Sequence, residues 1–378
     1  MRSKTLLTSC LRSRKVLVRM YNASTDSIAS LTESDVGKLF KVPTSTAEKL
    51  CLNKNLPSPL IKQMDTLGEL SLMLRRPFLE VAACMEAVRP SFPALRTVLW
   101  GSFGTGKSVT LNQALVLAHE KNWVILNLRS AMDLTRRVAE VEMSTFKPGR
   151  INDPVNAGLF LQQFKQQNHH VWKQLSELKT EREYEWTKVE KTAQDRPITE
   201  IVEMGLSAPF LASDCLGALF REIKRHSSAG SIKTLVALDD ANSLWGKTLV
   251  KRADRTYAQP SDLTLVQHFR SLVTNDWSNA MVLLVADRKE VVDARDELTV
   301  PRHTPLELFG EEGFDFIEPF IPIETHLYTF EEAENLYKYY VDKRWIASEN
   351  ARTEEGRQQM IHLSAFNPHY FERLAAFN

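Results

Sequence analysis

Short apolar runs alternate with helix-length stretches from Thr97 to Ala286. Thr97-Val98-Leu99-Trp100, Trp123 to Leu128, Thr234 to Leu238 and Met281 to Ala286 have strand length and are apolar nearly throughout. Runs of this kind mark strands buried on both faces. Helical patterns fill 107–119, 213–226 and 262–275 between them. Strands separated by helices predict an α/β fold with a parallel sheet covered on both sides. A fifth run, Phe320-Ile321-Pro322-Ile323, carries a proline that weakens its reading as a strand. Leu67, Leu70, Leu74, Phe78, Val81, Ala82 and Met85 recur at spacings of three and four, which predicts a helix over 65–87. Residues 22–64 are rich in Ser, Thr, Asn and Pro and read as an extended arm. Residues 131–210 read as a mostly helical insertion, with Trp172 and Trp186 among many charges. Two or three helices near 330–346, 353–364 and 368–376 form an expected lid at 327–378, which leaves 65–326 as the main domain. There is no internal repeat.

Composition narrows this picture. With 43% hydrophobic and 25% charged residues in 378, the chain is globular in character. No apolar run approaches the roughly 20 residues that span a bilayer. Cys10, Cys51, Cys84 and Cys215 lie far apart, which excludes a paired-cysteine zinc motif and a disulfide framework. The first acidic residue is Asp26, after Arg2, Lys4, Arg12, Arg14, Lys15 and Arg19. Leu6, Leu7, Cys10, Leu17 and Val18 share one helical face and the bases the other. An acid-free, Arg- and Ser-rich amphipathic start predicts a mitochondrial presequence over 1–21. Its removal leaves 42 basic against 47 acidic residues and turns the net charge from +1 to −5. Nucleic-acid contact then depends on local patches.

Ligands of a parallel sheet bind at the carboxyl ends of its strands, and the chemistry of this chain collects there. Gly101-Ser102-Phe103-Gly104-Thr105-Gly106-Lys107-Ser108 follows a strand and opens an apolar helix beginning at Val109. It fits the P-loop pattern in full. Its glycines allow a tight turn whose N–H groups and helix N-terminus attract phosphate. Lys107 reaches the β- and γ-phosphates and Ser108 binds Mg²⁺ in such a loop. The second Mg²⁺ acid is expected at the end of another strand, where Asp239 follows Leu235-Val236-Ala237-Leu238. Asp240 either orients an attacking water, as the one catalytic candidate, or caps the following turn. A strand between the two motifs points to the P-loop division that contains AAA-type ATPases. There the end of the next strand senses the γ-phosphate, here Ala286 or Asp287. An aspartate repels that phosphate, which argues against vigorous hydrolysis. No Asn/Thr-Lys-x-Asp segment follows that strand, so these residues do not separate GTP from ATP.

Weaker signals are Lys247, Lys251, Arg252 and Arg255, with Arg221, Lys224 and Arg225 nearby. They read equally as an RNA-backbone patch or a solvated face. His169-His170 reads as an exposed helical pair, and Tyr337, Tyr339, Tyr340 and Trp345 as the core of the lid.

Asp239-Asp240-Ala241-Asn242-Ser243-Leu244-Trp245-Gly246, with the P-loop and the N-terminal pattern, resembles the death-associated-protein family, the P-loop proteins of the mitochondrial small ribosomal subunit. Asn275-Asp276-Trp277, Gly313-Phe314-Asp315, Pro319-Phe320-Ile321-Pro322-Ile323, Thr353-Glu354-Glu355-Gly356 and Asn367-Pro368 with Glu372-Arg373 extend the resemblance over residues 35–376. The resemblance implies an AAA- or STAND-type nucleotide-binding domain with a helical insertion and a C-terminal helical lid. It implies bound GTP or GDP with Mg²⁺, contacts with mitochondrial small-subunit rRNA and neighbouring ribosomal proteins, and contacts toward the large subunit. The expected function is a structural constituent of that subunit in the mitochondrial matrix, supporting translation, with little or no hydrolysis. A link to apoptosis is also implied, without a readable motif. The alternatives are a free mitochondrial AAA-like NTPase, a signalling switch or an assembly factor. A vigorous ATPase of that kind needs an arginine finger, and no arginine here is assignable to that role.

Overall fold

The computed structural model describes residues 21–24, 27–252, 254–287 and 304–378. Of the expected presequence only Tyr21 lies among them. Five parallel strands form the central sheet: β1 Leu95–Trp100, β2 Val124–Leu128, β3 Thr234–Leu238, β4 Ala280–Val285 and β5 Ile321–Glu324. Their spatial order is β5-β1-β4-β3-β2. This is an α/β P-loop-type sheet. Side chains alternate between two cores, Val98, Val236 and Leu284 on one face and Leu99, Leu235 and Leu283 on the other. The apolar runs are continuous because both faces are buried. The register aligns Trp100 with Glu324, Leu99 with Val285, and Leu238 with both Leu284 and Leu128. The carboxyl ends of all five strands therefore meet along one edge.

The fifth strand forms despite Pro322 because β5 is an edge strand, paired among the described residues with β1 alone. An edge strand tolerates a residue without an N–H.

Residues 65–87 are not one helix. A helix Ser58–Leu67 ends at Gly68, which takes φ +66°. Leu70–Met73 is then a strand, and α1 runs Arg76–Ala87. The spacing Leu67-Leu70-Leu74 hid a period of two, since Leu70, Leu72 and Leu74 are all buried. That strand pairs antiparallel with Leu39–Val42, which also pairs with Ala23–Ser24. Residues 22–64 are correspondingly not an extended arm. They form two strands of this small sheet and short helices, and Leu50 and Leu52 are fully buried in the core beneath the main sheet.

The helix after the glycine loop, α2 (Lys107–Glu120), is buried along most of its length. The insertion contains α3 (Pro154–Gln167), shorter helices Trp172–Glu177 and Thr199–Ser207, and two small hairpins. It closes one face of the sheet with α4 (Ala212–Ser228) and α5 (Thr264–Val273). The C-terminal helices are α6 (Phe330–Asp342), α7 (Glu354–Leu363) and α8 (Pro368–Phe377). Their core of Tyr339, Tyr340 and Phe371 includes Leu39 and Met73 of the N-terminal sheet. Tyr21 joins it edge-on to Tyr339 at 5.1 Å, so the folded body reaches one residue into the expected presequence. Asn335 exchanges hydrogen bonds with the backbone of Asn22 at 2.6 and 2.9 Å. N-terminus and lid thus form one wall facing the carboxyl edge of the sheet.

Candidate nucleotide-binding site

The glycine loop leaves β1 with Gly101, Gly104 and Gly106 at φ +133°, +79° and +100°. A Cβ on Gly101 would stand 2.6 Å from the Thr325 carbonyl oxygen. One on Gly104 would stand 2.6 Å from Asn367 Oδ1 and 2.7 Å from His369 Cβ. Glycine is required at both positions by positive φ and by close approach.

The loop is gripped from outside. Asn367 Nδ2 donates to the Phe103 carbonyl at 2.8 Å, and the His369 N–H to the Gly104 carbonyl at 3.1 Å. Arg75 Nη1 donates to the Thr105 carbonyl at 2.9 Å. Peptide planarity then turns the N–H groups of Gly104, Thr105 and Gly106 the opposite way, toward a cavity of about 600 Å³ that these residues line. Thr105 is further held by Thr325, hydroxyl to hydroxyl at 2.7 Å. The loop is a preformed anion cradle. Gly104→Ala should push Asn367 and His369 off the loop at a cost of about 1–3 kcal/mol. The check is chemical denaturation together with the rate of nucleotide release, which should rise.

Lys107 is buried and donates to the carbonyls of Gly101 at 3.0 Å and Ser102 at 2.9 Å. Its Nζ also stands 3.9 Å from Asp287 Oδ2. Asp287 therefore shares the P-loop lysine with any bound phosphate. Asn242 fixes Asp287 by a two-way amide contact, Nδ2 to the Asp287 carbonyl at 2.9 Å and Asp287 N–H to Oδ1 at 3.1 Å. Asp239 and Asp240 are buried after β3 and line the same cavity as Ser108 and Val109. Asp240 has φ +51° and stands before the turn Ala241–Leu244 without capping it through its side chain. Its Oδ2 instead accepts from Ser130 Oγ at 2.6 Å.

The structure thus brings Phe103 to Val109, Asp239, Asp240 and Asp287 to one cavity. Gly101 and Ser102 lie behind the loop, where their carbonyls hold Lys107. Hard oxygen donors from Ser108 and Asp239 suit Mg²⁺. The cradle and this donor set fit a nucleotide phosphate with its metal.

Sequence reasoning missed the other walls. Asn55, Leu56, Pro57 and Gln63 contribute from the N-terminal segment, and Tyr340, His369 and Glu372 from the lid. Arg129 and Arg137 line the same cavity, and both reach Asp133, at 2.9 and 3.3 Å. Arg75 joins three parts of the fold, because it also donates to the carbonyls of His326 and Leu327 and pairs with Glu332 at 3.2 Å. Glu372 is buried, and its Oε2 has no hydrogen-bond partner. Burial pushes its carboxyl up to about 7 against the milder pull of Arg373 and Lys62.

The remaining candidates divide. Lys224 bonds Asp276 at 2.6 Å, Arg225 bonds Glu222 at 3.0 Å, and Arg252 pairs with Asp262. The basic set is therefore partly spent inside the molecule. His169 and His170 lie in the turn after α3 rather than on a helix, and His170 is half-buried against His119. Tyr337, Tyr339 and Tyr340 are buried in the lid core. Among the described residues no helix is long and apolar enough to cross a membrane.

The sequence family described as mitochondrial ribosomal death-associated protein 3 matches residues 72–374. The chain belongs to this family. It is 34% identical to the small ribosomal subunit protein mS29 of Bos taurus over 347 residues, covering 91% of this chain and 85% of that protein. It is 35% identical to the Mus musculus mS29 over 345 residues, at 91% and 86% coverage. The Neurospora crassa mS29 is 24% identical over 63% of this chain and 48% of its own length. The match to the mitochondrial ribosomal death-associated protein 3 family spans β1 to β5, the whole glycine loop and most of α8, so the gripping residues Arg75, Asn367 and His369 fall inside it.

Proposed function

We propose that this chain is a structural constituent of the mitochondrial small ribosomal subunit that holds a guanine nucleotide, GTP or GDP, with Mg²⁺. Family membership supports the ribosomal part. Contacts with the small-subunit rRNA, neighbouring ribosomal proteins and the large subunit belong to the same proposal. The nucleotide part is carried by one observation. The outer carbonyls of the glycine loop are bonded to lid and N-terminal groups, so a phosphate held by the inner N–H groups would be clasped together with both walls.

In this reading the loop N–H groups and Lys107 bind phosphate, and Ser108 and Asp239 hold Mg²⁺. The metal neutralises phosphate charge and orients it. Asp287 stands beside Lys107 as a competing anion, and Asp240 is bonded to Ser130 rather than left open for water. Both features favour retention of the nucleotide over turnover. A ligand at 100 times its dissociation constant stabilises a fold by roughly 2.7 kcal/mol, so the nucleotide acts chiefly as a rigidifying ligand.

Glu372 supplies the guanine preference. A buried carboxylate with an unused oxygen accepts the ring N–H and amino group of guanine, whereas adenine has no N–H at that ring position. Its folded-state value of about 7 lies above the usual 4.5. The apo chain therefore loses stability as pH rises from about 4.5 to about 7, because the buried group must ionise. Guanine binding runs the other way, since it needs the carboxylate. Affinity should increase with pH up to about 7, by at most about tenfold per unit. Glu372→Gln should flatten both trends and bring GTP and ATP affinities together. Titration calorimetry of both nucleotides between pH 6 and pH 8 checks this. An unchanged preference in the variant would remove Glu372 from the base site.

A further inference from the structure

His119, His169 and His170 come together outside the nucleotide site. His119 lies in the last turn of α2, and the other two in the turn that follows α3. One ring nitrogen from each lies within 4.8 Å of the others. Nitrogens sharing a tetrahedral zinc stand about 3.3 Å apart at the usual bond length, so small rotations of the rings bring these three into range. His119 Nε2 and both ring nitrogens of His170 are buried without a well-formed hydrogen bond, and the backbone of Trp123 and Gln167 makes only weak contacts with the His170 ring. Buried polar atoms are normally satisfied, so unsatisfied nitrogens on His119 and His170, with a ring nitrogen of His169 close by, make a candidate cation site.

The elements that carry the rings are anchored independently. Asn168, fully buried beside His169, donates to the carbonyls of Ile125 and Phe164 at 2.8 and 2.9 Å and accepts from the Ile125 N–H at 2.7 Å. This fixes the turn against β2. Gln166 and Gln167 donate to the carbonyls of Glu48 and Leu50, both at 2.8 Å. His119 is fixed by the buried helix α2. Ligands on separately braced elements make a preorganised site. Lys49 faces His119 and His169 and disfavours positive charge on both rings, and Glu120 opposes it at His119 alone.

We propose that His119, His169 and His170 bind one divalent transition-metal ion of the zinc class, with the fourth position open to solvent beside the exposed His169. Imidazole donors select such ions over Mg²⁺, which separates this centre from the nucleotide metal. The ion would staple the far end of the P-loop helix to the insertion.

The test uses the full chain without an affinity tag, stripped by chelator. ZnCl₂ is titrated calorimetrically, and CoCl₂ is followed by its visible absorption. The expected result is one ion per chain, an absorption band of a four-coordinate site with three nitrogen ligands, and a higher melting temperature. His170→Ala and the exposed-site variant His169→Gln should each weaken zinc binding more than about tenfold, the scale on which metal sites respond even to their outer neighbours. Lys107→Ala, a substitution in the glycine loop away from the three rings, should bind zinc as the parent does wherever it is folded. Absence of saturable binding, equal affinity in the folded His169→Gln variant, or loss of zinc binding in Lys107→Ala would each overturn the proposal.

Discussion

Lys107→Ala should lose bound nucleotide and the nucleotide-dependent part of thermal stability together. Lys107 is the one P-loop cation, held beneath the loop by Gly101 and Ser102 and facing Asp287 at 3.9 Å. A hydrogen bond to a charged group contributes about 1.5–3 kcal/mol, so nucleotide affinity should fall roughly 10- to 150-fold. The substitution also leaves Asp287 without that lysine, so the variant is less stable even when empty. The informative quantity is therefore the rise in melting temperature on adding GTP and Mg²⁺. It should be clear in the parent and markedly smaller in Lys107→Ala at the same concentration. A variant that retains the parental nucleotide content and the parental ligand-induced rise would mean that the loop does not carry the phosphate.

Arg75→Ala should have the largest effect on stability. Its side chain is 13% exposed, and the guanidinium binds three carbonyls from two segments and the carboxylate of Glu332, whose side chain is 6% exposed. It also lies over the Tyr328 ring at 4.9 Å. Removing one partner of a buried ion pair costs about 3–5 kcal/mol because the other charge stays buried. Glu332 additionally accepts the N–H of Thr329 at the start of α6, so the lid should loosen at that end first. Arg75→Lys should rescue little, since an ammonium cannot reproduce the planar fork. Denaturant unfolding checks the stability, and the GTP dissociation rate checks the clasp. A loss under about 1 kcal/mol, the scale of a surface pair, would show that the lid is held elsewhere.

The parallel sheet was legible because its strands are buried on both faces and so read as uninterrupted apolar runs. The glycine loop and Asp239 were legible as neighbours because a local pattern places each at the carboxyl end of a buried strand. What escaped is what depends on tertiary proximity. The small sheet at Leu39–Val42 and Leu70–Met73 was masked because Leu67, Leu70 and Leu74 mimic a helical spacing, while the Gly68 stop went unused. Arg75, Asn367 and Glu372 lie far apart in the chain and meet only through the folded lid. Asn367-Pro368 and Asp239 to Gly246 were nonetheless flagged by resemblance, and the structure supplies physical reasons. Asn367 holds the Phe103 carbonyl, Asn242 holds Asp287, and Trp245 packs against Phe309 at 5.6 Å, with Gly313 leaving room for its ring. The histidine cluster escaped because His119 is distant in sequence from His169 and His170.

The most direct test of the central claim is to sediment detergent-lysed mitochondria through a high-salt sucrose gradient. Nucleotide is then released by acid from the fractions that contain this chain and identified chromatographically. The account predicts co-sedimentation with the small subunit and the monosome, and close to one guanine nucleotide per chain. In particles carrying Lys107→Ala that nucleotide should be missing. A chain that stays near the top of the gradient would contradict the ribosomal assignment. Ribosome-bound chain whose nucleotide is adenine, or whose guanine content is unchanged by Lys107→Ala, would contradict the guanine clasp.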